Sequence, residues 1–293
     1  MKYLPYILGV LALLAASPLL LVALGSRSII FHPTTTRRST LERLAAEPGW
    51  SPASVPLAGG GALVGLVRPA TVADARWVVF FGGNAFDLPA NVAVAQAIAA
   101  DQPVGIATFA YRGYDGSSGA PSEAALVADA SAIVSWLWTT RWVLPWRTIL
   151  VGHSLGTGVA AHAAAALSRA GTPPAGLLLA APYRSIARLF DEAVPLVPVS
   201  WALRDRFDTE AVIADVACPV LIVHGAEDRL IPAAHGRALA ERLGARATWV
   251  ELPRTGHEDV WEQHAARVAA RDFVAKVVAT PLPNLPDPPA PHP

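Results

Sequence analysis

Short, unbroken apolar runs alternate with longer mixed segments along most of this 293-residue chain. Trp77 to Phe81, Val104 to Phe109, Thr148 to Val151, Gly176 to Ala180, Pro219 to His224 and Ala247 to Leu252 each read as a strand. Their apolar positions are consecutive instead of alternating, as in parallel strands covered on both faces by crossover helices. Between and after them, Ala90 to Ala100, Ser122 to Thr140, Val159 to Leu167, Ala233 to Leu243 and Asp259 to Val278 read as helices. Ahead of this alternation, Val55 to Leu57 and Ala62 to Val67, joined through Gly59-Gly60-Gly61, predict an antiparallel hairpin. The pattern is that of an α/β fold with a mainly parallel central sheet flanked by helices, over residues 55–279.

Three stretches depart from it. Leu4 to Leu24 is uncharged and almost wholly apolar. As a helix it would span about 30 Å, the thickness of a bilayer core. It reads as an N-terminal transmembrane anchor; a cleaved signal peptide is the alternative, although its apolar core is normally shorter. The basic residues on either side leave the orientation of the domain that follows open. Residues 26–54 form a polar connector with a short helix at Thr40 to Ala46. Tyr183 to Asp215 mixes apolar residues with prolines, and reads either as a small helical cap inserted near the carboxyl ends of two strands or as a crossover packed on the sheet. Residues 280–293 are proline-rich, with no apolar face to bury, and are expected to be a disordered tail.

Composition narrows the function classes. Hydrophobic residues make up 53% and charged residues 16%, with zero net charge and a mean hydropathy of +0.39. Nothing here suits a nucleic acid or another polyanion. The single cysteine, Cys218, excludes an internal disulfide and a thiolate metal site, and reads as a small buried hydrophobe. No metal-ligand spacing occurs and no cofactor is expected. Tyr111-Arg112-Gly113-Tyr114-Asp115-Gly116-Ser117-Ser118-Gly119 superficially resembles a phosphate-cradling loop, but lacks the Gly-Lys-Ser/Thr ending.

The chemistry-bearing stretch is Gly152-His153-Ser154-Leu155-Gly156, set between a buried strand and an Ala-rich helix. In a strand-to-helix turn this tight, side chains two residues either side of the serine would collide, so glycines stand there. Its Oγ is thereby raised, with the Leu155 amide and the helix N-terminus aimed at one point. A serine nucleophile needs a base, and the base an orienting carboxylate. Glu227 and Asp228 stand in the loop after one strand, and His257 follows a later one beside a glycine. Asp259 is too close along the chain to hold His257 and is expected to open the closing helix. His153, His162, His224, His235 and His264 read as structural, with the His153 ring directed away from Oγ and His224 supporting the acid loop. A second oxyanion donor is expected from Gly82-Gly83-Asn84-Ala85, at the amide of Asn84 or, one residue on, Ala85.

With these residues in place the chain resembles the α/β-hydrolase superfamily, and more narrowly its N-terminally membrane-anchored branch of lysophospholipid lipases and depalmitoylases. The resemblance rests on Phe31-His32-Pro33, Phe81-Gly82-Gly83-Asn84-Ala85, Tyr111-Arg112-Gly113-Tyr114 with Pro121-Ser122-Glu123, and Gly152-His153-Ser154-Leu155-Gly156. It continues through Arg204-Asp205-Arg206-Phe207-Asp208, His224-Gly225-Ala226-Glu227-Asp228 and Gly256-His257. It implies a catalytic triad of Ser154, Asp228 and His257, with Leu155 and Asn84 as the oxyanion hole. One departure is that the branch usually has His-Gly-Asn at the oxyanion loop, and Gly82 stands in the histidine place here. The expected activity is serine hydrolysis of a small-molecule ester or thioester with an acyl or lipid-like group. The alternatives are amide hydrolysis by the same residues and a catalytically silent, membrane-tethered binding module.

Overall fold

A computed structural model describes residues 25–194 and 199–282. The apolar stretch read as an anchor, at 4–24, and most of the proline-rich tail lie outside the described residues. Among the described residues no helix is long and apolar enough to cross a membrane.

The strands are β1 (Ser51–Pro56), β2 (Ala62–Arg68), β3 (Trp77–Phe81), β4 (Gly105–Phe109), β5 (Thr148–His153), β6 (Gly176–Ala180), β7 (Val220–Gly225) and β8 (Ala247–Leu252). They form one eight-stranded sheet in the order β1-β2-β4-β3-β5-β6-β7-β8. β1 and β2 pair antiparallel, and β2 pairs antiparallel with β4; from β4 to β8 every pairing is parallel. The helices are α1 (Arg38–Ala46), α2 (Leu88–Ala99), α3 (Glu123–Arg141), α4 (Leu155–Arg169), α5 (Ile186–Ala193), α6 (Thr209–Val212), α7 (Ala233–Leu243) and α8 (His264–Ala279).

The consecutive apolar positions of each inner strand divide between two cores. Trp77, Val79 and Phe81 of β3 face one core, which Leu126, Ile133 and Leu137 of α3 and Val159 of α4 complete. Val78 and Phe80 face the other, with Val92 and Ile98 of α2 and Val274 and Val277 of α8. Burying each such side chain stabilises the fold by ~1.5–3 kcal/mol, so a strand apolar on both faces is fixed from both sides. Cys218 is buried, and burial pushes its thiol up to about 12, as suits a small hydrophobe.

Helix starts follow local chemistry. Asp87 Oδ1 accepts the Ala90 amide at 2.9 Å ahead of α2, and Ser122 Oγ accepts that of Ala125 at 3.2 Å ahead of α3. The closing helix starts later than the sequence suggests. Asp259 begins a short 3-10 turn, Val260–Glu262, extended Gln263 interrupts the chain, and α8 opens at His264. The Asp259 carboxylate instead accepts the Gly256 amide at 3.2 Å, turning back toward the preceding loop.

The stretch between β6 and β7 behaves differently in its two parts. Tyr183 and Phe207 are buried against α4, where a Cβ on Gly158 would lie 2.2 Å from the Tyr183 oxygen. The outer helix α5 buries only Ile186 and Ala187. Near its end Glu192 bonds to His235 of α7 at 2.9 Å.

The fold places the site through β3. That strand lies between β4 and β5, so the chain leaves it on one side and returns on the other. The carboxyl ends on either side of such a reversal diverge and leave a crevice. Phe81 is opposite Gly152 and His153 opposite Ala180, which sets the loops after β3, β5 and β6 side by side.

Candidate active site

Ser154 follows β5 directly and precedes α4. Its φ of 49° and ψ of −116° is a conformation L-residues rarely adopt. Two glycines make the turn possible: a Cβ on Gly152 would fall 2.4 Å from the Gly156 oxygen, and one on Gly156 would fall 2.1 Å from that of Phe81. Both obstacles are backbone and cannot move aside. The Ser154 amide donates to the Ala180 carbonyl at 2.9 Å, which ties the turn to β6.

His257 lies in the loop after β8 and Asp228 in the loop after β7. His257 Nε2 is 2.9 Å from Ser154 Oγ, and its Nδ1 is 2.7 Å from Asp228 Oδ2. Asp228 and His257 are both buried. The remaining Asp228 oxygen accepts the amides of Leu230 at 2.9 Å and Ile231 at 2.7 Å. Burial alone would raise the Asp228 pKa. Hydrogen bonds from His224, His257 and the Ile231 amide outweigh it and hold the carboxyl well below its usual range, so it stays ionised. An anionic acceptor at Nδ1 fixes the proton there and leaves the Nε2 lone pair facing Oγ. Glu227, the other acid of this loop, is exposed, and its amide donates to Thr255 at 3.0 Å.

The neighbouring histidines have other roles. His224 bonds through Nε2 to the Ile231 carbonyl at 2.8 Å and lies 3.4 Å from Asp228, bracing the acid loop. The buried His153 ring stacks on Phe86 at 4.8 Å and lies 5.7 Å from the His257 ring, centroid to centroid. Burial and, secondarily, the nearby His257 imidazole lower the His153 pKa to about 3, so it is neutral. His162 bonds the Gly158 carbonyl at 2.9 Å within α4.

Across the crevice is the loop after β3. Among the described residues the amides of Leu155, Asn84 and Ala85 donate to no protein acceptor. The Leu155 amide opens α4, where the helix dipole adds to its field. Gly82 has a steric reason: a Cβ there would fall 2.1 Å from Oδ1 of buried Asn91, in α2. The Asn91 carboxamide therefore occupies the space that a side chain at position 82 would enter.

The loop is held by residues to which sequence reasoning gave no role there. Tyr111 donates its hydroxyl to the Gly82 carbonyl at 2.8 Å, and Tyr114 donates to Asn84 Oδ1 at 2.9 Å. Burial raises the pKa of both hydroxyls, which keeps them protonated and able to donate. Asp115 accepts the Leu88 amide at the start of α2 at 2.7 Å. These residues belong to the run that had resembled a phosphate loop. Its position after β4, next to β3, was the available signal for their role. From further away, His32 contacts Asn84 through both its amide and its ring.

Such an arrangement can remove a proton from Ser154 Oγ as it attacks a carbonyl, and return that proton to a leaving group. Among the described residues no group of His, Cys, Asp and Glu could hold a metal ion.

Comparison with known proteins places the chain. A family model described as Serine hydrolase matches residues 133–275. An uncharacterized protein of Mycobacterium tuberculosis strain H37Rv is 36% identical over 186 residues, 62% of this chain and 63% of that protein. The chain thus spans under two thirds of that relative's length. The lysophosphatidylserine lipase ABHD12 of Danio rerio is 33% identical over 147 residues, 46% of this chain and 38% of the lipase. A solved α/β-hydrolase from Vibrio vulnificus superposes with a TM-score of 0.66 at 21% identity, covering 83% of this chain and 85% of its own. The alpha/beta hydrolase domain-containing protein 17B of Xenopus laevis is 33% identical over 208 residues, 69% of this chain and 68% of that protein. On this likeness, and with this sheet, the chain belongs to the α/β-hydrolase superfamily.

Proposed function

We propose that the protein is a serine hydrolase that cleaves carboxylic ester or thioester bonds through an acyl-enzyme. The observation that carries this is the hydrogen-bonded line from Ser154 Oγ through His257 to Asp228, at 2.9 and 2.7 Å. His257 takes the serine proton as Oγ attacks the acyl carbonyl, and Asp228 holds and stabilises the imidazolium. The amides of Leu155 and Asn84 receive the charge that develops on the carbonyl oxygen. Collapse of the tetrahedral species expels the alcohol or thiol, which takes the proton from His257. Water, deprotonated by the same imidazole, then releases the acid and regenerates Ser154.

Lipid-like acyl groups fit the apolar character of the surroundings. Phe86 and Trp261 flank His153 beside the catalytic histidine, at 4.8 and 6.3 Å between ring centroids. The lipase named among the relatives acts on a lysophospholipid, which supports the same class. In this reading residues 4–24 anchor the protein in a bilayer, α5 with the residues around it serves as a small cap, and the substrate is drawn from lipid.

The test is labelling of the full chain with a fluorophosphonate probe, together with turnover of a panel of acyl esters, thioesters and amides. Wild type should label at Ser154 and turn over esters or thioesters. Ser154→Ala should do neither. Absence of label on wild type, or equal label on Ser154→Ala, would overturn the reading.

A further inference from the structure

We propose that His32 is a positioning residue of this site: it holds the Asn84 side chain so that the Asn84 amide stays aimed at the oxyanion. The inference rests on the hydrolase reading above. Its starting point is the carboxamide of Asn84. Oδ1 accepts the backbone N–H of His32 at 2.9 Å and the Tyr114 hydroxyl, also at 2.9 Å. A backbone N–H can only donate, so the atom facing it is the oxygen. Nδ2 then points at His32 Nδ1, 3.0 Å away, and must be the donor. His32 therefore presents the Nδ1 lone pair and carries its proton on Nε2. One residue thus grips both ends of the Asn84 side chain.

This grip matters because of what precedes Asn84. Gly82 and Gly83 have no side chains, and glycine backbone turns freely. Tyr111 fixes the Gly82 carbonyl, but the direction of the Asn84 amide is set by the next peptide, Gly83–Asn84. An oxyanion donor has to be held within a few tenths of an ångström to act without reorganisation. The side chain of Asn84 supplies that hold.

His32 is itself secured on both sides. Before it, Phe31 is buried edge-on to Phe207 at 6.4 Å, and Arg27 pairs with Asp205 at 2.9 Å. After it, the Thr34 carbonyl accepts the Asp115 amide at 2.9 Å, and the Thr36 amide donates to Asp115 at 2.7 Å. Yet His32 is exposed, and no core packing requires an imidazole there.

The test compares His32→Ala and His32→Asn in the full chain. Asn places a carboxamide oxygen where His32 Nδ1 stands and can accept from Asn84 Nδ2. Loss of an oxyanion donor lowers kcat by about 10²–10³; loosening one should lower it less, by about tenfold. His32→Ala is therefore expected to lower kcat and the fluorophosphonate labelling rate about tenfold, with KM and Tm near wild type. His32→Asn should restore most of that loss. A second readout is independent of turnover. The asparagines of the chain are Asn84, Asn91 and Asn284, so selective ¹⁵N-asparagine labelling gives an interpretable NMR spectrum. The Asn84 side-chain amide signal should shift in His32→Ala and return toward its original position in His32→Asn. Unchanged kcat in His32→Ala, a loss that His32→Asn does not restore, or an unmoved Asn84 signal would overturn the proposal. If wild type is not labelled at Ser154, the hydrolase reading fails instead, and the Asn84 signal alone decides whether the grip exists.

Discussion

The two walls of the crevice are built in opposite ways. On the wall carrying Ser154, Asp228 and His257, each residue sits at or just beyond a strand end, and neighbouring backbone fixes the turns that carry Ser154 and Asp228. Ser154 donates to β6, Glu227 donates to Thr255, and a Cβ on Gly225 would strike the Thr255 oxygen at 2.4 Å. On the wall formed by Gly82 to Ala85, the glycines fix little, and side chains from remote segments hold the loop. Tyr111 and Tyr114 come from beyond β4, and His32 from ahead of the sheet. Backbone-held geometry tolerates the loss of a neighbouring side chain, whereas side-chain-held geometry is tuned by it. Mutations on the first wall should therefore act all-or-none and on the second by degrees.

Asp228→Asn gives the largest contrast, with kcat falling about 10⁴-fold. The Asn oxygen can still accept the amides of Leu230 and Ile231, but its NH₂ then faces Nδ1 and imposes the wrong imidazole tautomer. Steady-state turnover, with circular dichroism to show an intact fold, checks it; a variant within tenfold of wild type would break the contrast. Tyr111→Phe should be graded. It leaves the buried Gly82 carbonyl without its partner, destabilises the fold by ~1–3 kcal/mol in urea titrations, and lowers kcat several-fold without abolishing it. The smallest effect concerns pH. His153 has a folded pKa of about 3, against about 6.5 when unfolded, so between these values the unfolded chain binds the extra proton. Its presence makes stability fall as pH drops through this window. His153→Phe should flatten the fall in Tm between about pH 6 and 4. An unchanged slope would show that His153 does not carry it. Asp228 acts lower: its lowered pKa contributes stability above the unfolded carboxyl value of about 3.9, which is lost as pH falls toward the folded value.

The same division decides what could be read from sequence. The parallel sheet showed as consecutive apolar runs because burial on both faces removes polar positions. The Ser154 turn showed because two glycines at fixed offsets are a steric necessity. His257 and the pair Glu227 and Asp228 showed because strand ends are countable and few titratable residues stand at them; the choice of Asp228 came from the resemblance. The supports of the loop after β3 did not show. The contact between His32 and Asn84 joins residues 52 apart, and no period or spacing encodes it. Tyr111 and Tyr114 lay in a run that entered through the resemblance and through a discounted likeness to a phosphate loop, neither of which tied them to the loop after β3. Gly82, legible only as a departure from its relatives, acquires its reason from Asn91 on α2. The start of α8 was misplaced because Asp259, a good helix opener, bonds back to Gly256 and spends its carboxylate there.

β8 is the last strand of the sheet and lies at its edge, with β7 as its neighbour. His257 follows within a few residues. Edge elements open at lower free energy than the interior of a sheet. Warming should thus release His257 while the serine turn, deep between β3 and β6, stays formed. On the proposed hydrolase reading, activity is then expected to vanish below the global melting temperature and to return on cooling as this one ribbon pairs again, without refolding of the whole body.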